Sequence, residues 1–582
     1  MLQKQFFPRF LFSPRFLFLW MIWACFGWLA GFPPAAQAQS LGPRFELKEG
    51  VENTFSASGL IRNFQFVTED ESGLYLLHLI NRLEGLKGFY DYYIERYDPV
   101  TLAKTDSELL LTGMTSDMLT SSYLLTCRKH GGEVWCLFME NEGNLGVYAQ
   151  RLDLSSLQLT DERVDLLHEE GRKWNQNDSY GYDGNYFLPV LVTFERDSRG
   201  RDRAVVLIKN DKKGGPKGEA YYTFVVYDEH LKELWSGASA LEDRAESFML
   251  DGMILRPDQN ELYLLSHRRL SENVKWEEDF YRKEGKEVKN IFWELTGHSA
   301  RGEVWHIPID TEEDPVFSNL NLAQHPDKDE FVLWAKYRRS PKPNALLLRG
   351  IFLGHFDLAK REFSLRKYTD LKPDQAADLL WGSKSRIERA YEKDKRFKGL
   401  DGKITNSILR EDGGLFLEFY TSYRWPGGNP DAKSYQDLAG VPTGTAYMAV
   451  SPTGEIEWIH KTVVKSRGLF SSFACSLHSM AWFREGRLYF LFTVVEKMPL
   501  ALFPQKLPEI NIFYLSASDG EISEVSALKL DREDEGLLFS DISKAIRLGD
   551  DELLLWVSRK SEPEKFRWIR LRYKWIRKKS RL

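Results

Sequence analysis

Four oxygen-bearing side chains fall close together in one polar tract: Asn177, Asp178, Asp183 and Asn185. Carboxylates and amide carbonyls are the hard donors that calcium takes, so this tract could hold a calcium ion. The D-x-[DN]-x-[DN]-G spacing of a calcium loop between two helices is absent, and the same residues also read as an ordinary polar loop. A second pair with chemistry is Cys127 and Cys136. A two-residue turn at Gly131-Gly132 pairs His130 with Glu133, and counting outward sets the cysteines directly opposite each other. In an exported chain a cross-strand disulfide could form there. Two separately buried thiols fit the same register, because directly opposed strand positions strain the bridge.

Other chemistry is missing from the local sequence. No GxSxG elbow, HExxH motif, P-loop, GxGxxG turn or CxxC pair occurs. The eleven histidines are scattered. His306 and His355 fall in strand-like runs, where a hydrogen-bonded structural imidazole is a plainer reading than a ligand or base. No catalytic residue is assigned on these grounds, and no cofactor beyond the calcium tract is expected.

Aromatic residues mixed with Arg, Asn and Asp mark four insertions. Glu169 to Asn185 carries Trp174, Tyr180 and Tyr182; Arg269 to Arg301 carries Trp276, Tyr281 and Trp293. Leu371 to Lys403 reads as partly helical, and Thr421 to Gly444 carries Tyr423, Arg424 and Trp425. Exposed Trp, Tyr and Arg suit recognition of a protein or a glycan. The bland alternative is that these rings pin the insertions to the body.

The chain has 582 residues, 43% hydrophobic and 28% charged, with 42 glycines and 23 prolines. That composition excludes collagen-like and disordered classes, and four cysteines exclude a disulfide-dense scaffold. Lys4, Arg9 and Arg15 precede an uncharged run from Phe16 to Phe32, and Pro33-Pro34 and Ala36-Gln37-Ala38 follow. This is the pattern of an export signal cleaved after Ala38, with a retained N-terminal membrane anchor as the alternative. Residues 1–38 hold three of the 79 basic residues and no acid, leaving 76 against 85 acids. Lys565 to Leu582 holds nine basic residues and no acid, so the body between is strongly acidic. An acidic body argues against nucleic-acid binding, while the basic end could touch an anionic surface or form a solvated outer strand.

These features must be positioned by strands, since short β-rich runs dominate and helical periodicity is scarce. An apolar strand, a tight polar turn, a second apolar strand, a variable connection and a third strand recur along the chain. The second strands begin near Leu74, Val134, Val205, Leu262, Phe331, Leu415, Leu488 and Leu553, at spacings of 57 to 84 residues. Third strands end at Asp98, Asp153, Asp228, Asp310 and Asp357, with VWHIPID taken as the third strand of unit four. Four antiparallel strands per unit, repeated, resemble the β-propeller superfamily over residues 44 to 575. The resemblance implies an all-β fold with a single propeller, eight-bladed by this count and seven-bladed if one unit is an insertion. The last unit lacks a fourth strand, and Arg44 to Glu49 is placed to supply it and close the ring.

Two local echoes accompany the repeats. Ala449 to Trp458 (AVSPTGEIEW) is similar to the docking repeat of eight-bladed quinoprotein dehydrogenases, with Ser451 in place of its Asp and only one copy present. Ser516 to Gly520 (SASDG) is similar to the Asp-box turn of sialidases without its aromatic residue. Both also read as plain blade turns, and no catalytic residue is carried over. The expected organisation is a signal peptide at 1–38, an N-terminal segment at 39–60, a propeller at 61–575 and a basic tail at 576–582. The expected role is that of an exported, monomeric, non-enzymatic module, periplasmic or extracellular, that binds a protein or surface polysaccharide. The alternative is an enzyme or sensor with a small ligand or metal in the central channel.

Overall fold

The computed structural model describes residues 45–573 apart from 56–60, 85–86, 115–122, 141–144, 170–189, 210–219, 241–246, 270–279, 284–285, 290, 312, 339–347, 380–383, 393–399, 424–440, 462–477, 485–486, 494–508, 517, 521–525, 530–536, 540–544, 550 and 560–563. Among them, seven sheets carry four strands, another carries five, and one hairpin carries two. Within each four-stranded sheet the strands lie in chain order and neighbours pair antiparallel. That order, repeated in sequential sheets, is the architecture of a β-propeller.

All eight apolar runs read as second strands occupy that place, from Gly73–Glu84 to Glu552–Arg559. Their side chains are buried on both faces, as in Glu133–Glu140, where Val134 to Met139 are all buried. A strand covered on both faces is a continuous apolar run, which is why these segments stand out in the sequence. The outer strands alternate instead, as in Glu362–Asp370.

Consecutive sheets share their cores. Val206 and Ile208 of the third sheet pack with Leu137 and Met139 of the second, and Leu333 of the fifth packs with Leu295 of the fourth. The first strands of neighbouring sheets touch, as Ile61–Asp70 does Tyr123–His130 and Val190–Arg196 does Ser247–Arg256. The first strand of the first sheet also touches Ile546–Gly549 of the last. Phe45–Thr54 joins the last sheet, antiparallel to Lys565–Tyr573, with Phe45 opposite Tyr573 and Thr54 opposite Lys565. At this junction Phe55 stacks on Phe566 at 4.2 Å, and Phe64 meets Trp568 edge-on at 4.8 Å.

Unit four departs from the sequence reading. Its third strand is Ile291–Ser299, and Val304–Pro308 is the fourth. The Asp that closes third strands elsewhere is used differently here: buried Asp310 accepts the Trp293 amide at 2.7 Å and pairs with Lys289 at 2.5 Å. His306 therefore lies in a fourth strand. The insertion ends before Ile291 and contains a separate hairpin, Phe280–Lys283 with Lys286–Lys289. The expected helical content after the fifth sheet is present as α1 (Pro373–Leu379) and α2 (Lys384–Glu392). Ala376, Leu379 and Ile387 bury against Ala446 and Met448 of the sixth sheet.

Candidate functional site

Strand order fixes two faces. First-to-second and third-to-fourth connections leave one end of each sheet, and second-to-third and sheet-to-sheet connections leave the other. The first class is short and hydrogen-bonded. After the third strands, Asp98 accepts the amides of Val100 (3.0 Å) and Thr101 (2.5 Å) and the Thr101 hydroxyl (2.8 Å). Asp153 does the same for Ser155, Asp228 for His230 and Lys232, and Asp357 for Lys360. The Thr101, Ser155 and Lys360 amides hold the carboxyls of Asp98, Asp153 and Asp357 below the usual carboxylate range. Each turn then places a side chain at positive φ: Leu102 (55°), Leu157 (59°), Leu231 (58°) and Arg361 (58°). The three leucines are buried, and that burial offsets the strain of the left-handed backbone.

The short-turn face also stitches sheets together. Gly131 donates its amide to Asp202 at 2.9 Å, and His130 Nε2 lies 2.7 Å from the Asp228 carbonyl. Ser198 donates its hydroxyl to Asp258 at 2.7 Å, and Arg256 bridges Glu261 and Asp329. Arg570 grips Glu69 through two 2.8 Å bonds and reaches Glu552 at 2.6 Å, joining the last sheet to the first. Gly454 and Gly520, at φ 83° and 71°, press onto the preceding sheet's outer strand. A Cβ on Gly520 would lie 2.7 Å from the Trp458 ring. The two echo motifs therefore meet: the SASDG turn docks on the tryptophan of AVSPTGEIEW. Ser451 caps its own turn by accepting the Glu455 amide at 3.0 Å.

The second class of connection spans 170–189, 210–219, 270–290, 339–349, 371–399, 424–440, 462–477 and 494–508, most of which lies outside the described residues. Trp174, Tyr180, Tyr182, Trp276, Arg424 and Trp425 lie outside the described residues, as do Asn177, Asp178, Asp183 and Asn185. Tyr281 belongs to the inserted hairpin and Tyr423 ends the strand Leu415–Tyr423, opposite Val441. Trp293 is not a surface aromatic. It is 4% exposed, in a core cluster with Leu295 and Phe317, because Ile291–Ser299 is a central strand rather than a loop.

Cys127 and Cys136 stand directly opposite each other, as the turn count requires. Both are free and buried, with sulfurs 2.9 Å apart. Burial pushes the Cys136 thiol well above its ordinary pKa, so it is a poor thiolate.

Two buried imidazoles illustrate how these rings are held. His298 Nε2 lies 2.8 Å from the Tyr222 hydroxyl, and burial holds its pKa down to about 4. His325 Nδ1 accepts the Asp327 amide at 3.1 Å, which leaves the proton on Nε2 and removes that nitrogen as a metal ligand. Among the described residues no group of three His, Cys, Asp or Glu side chains is arranged around a metal position. Nor is any helix there long and apolar enough to cross a membrane.

Four of the nine basic residues from Lys565 to Leu582 already have partners. Lys565 pairs with Glu52, Arg567 with Glu49, and Arg570 and Arg572 share Glu552. The pairing of Lys565 and Arg567 with Glu52 and Glu49 of Phe45–Thr54 was readable as charge complementarity between two strands.

No protein-family model and no curated protein matches the chain. Among solved structures it is similar to the β-propeller domain of the Trilobed protease from Pyrococcus furiosus, at 11% identity and a TM-score of 0.31, covering 80% of this chain and 96% of that one. Pyrococcus horikoshii acylaminoacyl peptidase gives 9% identity and a TM-score of 0.31 over 85% of this chain, which spans 58% of the peptidase. Cobalt-substituted Synechocystis apocarotenoid oxygenase gives 10% identity and 0.35 over 84% of this chain and 94% of that one. The propeller assignment rests on this chain's own strand pairing.

Proposed function

We propose that the chain is an exported eight-bladed β-propeller, closed by its N-terminal strand, that serves as a non-enzymatic binding module of a cell envelope. Eight sheets follow one another, the first touches the last, and Phe45–Thr54 completes the last sheet. Its partner is a protein or surface polysaccharide, met by the long-connection face.

The observation that carries this reading is the asymmetry of the two faces. One is consumed by short, internally bonded turns that hold neighbouring sheets. The other class includes most of the long connections, among them the segments whose sequence carries Trp174, Trp276 and Trp425. Long connections on a rigid scaffold are where recognition concentrates.

Shortening tests this. The variants delete 271–279 or 424–440 and spare Lys289 and Ile291–Ser299, whose burial makes them part of the body. Loss of partner capture at unchanged melting temperature supports the proposal. Undiminished capture by both variants contradicts it and favours a ligand in the central channel.

A further inference from the structure

Between the first strands of the second and third sheets lies a cavity of about 250 Å³, lined by Leu125, Thr126 and Arg128 on one side and Val190–Phe194 on the other. The lining begins at Val190, the first residue of Val190–Arg196, so the cavity lies toward the end of that strand at which the connection 170–189 enters. Arg128 lies over the Phe194 ring at 5.2 Å and, among the described residues, makes no hydrogen bond or ion pair. Arg128 is solvent-exposed, unlike the buried Arg203 and Arg256, which end on carboxylates, so water solvates its guanidinium and a ligand carboxylate would displace that water.

The hydroxyls fit the same pattern. Thr126 Oγ1 accepts from Gln65 Nε2 at 2.9 Å, so its proton is free to be donated. Thr193 has no hydrogen-bond partner among the described residues. The cavity thus offers aliphatic walls, one planar cationic fork and the Thr126 hydroxyl. A ligand that answers all three has an apolar body and a group that only accepts hydrogen bonds, and a carboxylate matches the guanidinium fork in charge and geometry. At about 250 Å³ the space lies just under the roughly 300–1,000 Å³ of drug-sized sites.

We infer that this cavity binds a small amphipathic monocarboxylate, its body against Leu125, Val190 and Val192 and its carboxylate toward Arg128. This does not depend on the loop-face reading. Glu195, one residue beyond the cavity, feels the Arg128 charge and opposes an incoming anion, which supplies a control of opposite sign.

Calorimetric titration of the full chain with 3-phenylpropionate and with its neutral amide tests the inference. The acid binds, the amide binds at least about tenfold more weakly, Arg128→Gln abolishes that preference, and Glu195→Gln tightens the acid. Absence of acid binding at millimolar concentration overturns the inference, as does equal affinity for acid and amide. Both readings use the unmodified chain, so they stand even if a variant misfolds. A preference that survives Arg128→Gln at unchanged melting temperature also overturns it.

Discussion

The two ends of the propeller use their connections for different purposes. On the short-turn face, Ser198–Asp258, Arg256–Asp329 and Arg570–Glu69 each cross from one sheet to another, and Gly520 seats on Trp458. The long-connection face is tied down at fewer described places. Lys289 anchors the inserted hairpin to Asp310 and to the carbonyls of Thr311 and Pro315, and α1 packs on the sixth sheet, with Asp378 paired to Lys461. Turn residues that hold neighbouring sheets have little latitude to change. Connections outside that network can vary without loosening the contacts between sheets, and this freedom is what a recognition surface needs.

The largest effect expected on this contrast comes from the anchor on the long-connection face. Lys289→Ala leaves buried Asp310 without its cation and should cost about 3–5 kcal/mol in a urea melt. Burial already pushes the Asp310 carboxyl up, and Lys289 opposes that. A loss below about 1 kcal/mol, the range of an exposed pair, would remove the anchor from the account.

Next comes the docking turn. Gly520→Ala adds a Cβ against Trp458 at a positive φ and should cost about 2 kcal/mol. Gly132→Ala, at φ 88° with nothing within 4 Å of the new Cβ, should cost only about 1 kcal/mol. Equal losses at the two glycines would show that the Trp458 contact is unimportant.

The acid response should be smaller and spread over several turns. Asp98, Asp153 and Asp357 have carboxyls held below the unfolded value of about 3.9. Their contribution is complete above that pH and is lost as pH falls through the lower folded values. The melting temperature should therefore drop below about pH 4, and the Asn triple variant, which keeps an acceptor in each turn, should show a shallower acid limb. The smallest effect is expected where the comparison is sharpest: deleting 424–440 should change stability by no more than about 0.5 kcal/mol.

Much of this frame was legible in the sequence. Strands buried on both faces leave apolar runs between acid- and Gly-rich turns, and those runs located all eight second strands. The Gly131-Gly132 turn placed Cys127 opposite Cys136. Unit four was misread because Asp310 resembles the Asp that ends other third strands, while Glu294 and the neighbouring aromatics of IFWELTGHS look like a surface insertion. The stitches were hidden for another reason. Ser198 and Asp258 are sixty residues apart, and Arg570 and Glu69 five hundred and one, so no local pattern announces them. The candidate site was legible only as loop length and aromatic content, since neither quantity fixes which side chains converge.

The central claim, that recognition belongs to the long-connection face, is tested most directly by photo-crosslinking in the native cell. A photoreactive residue would be placed at Tyr180, Trp276 or Trp425 in the long connections, and at Arg199, Ser156 or Thr453 in the short turns. The account predicts adducts with a partner from the first set and none from the second. Adducts from Arg199, Ser156 or Thr453, with the first set silent, would contradict it.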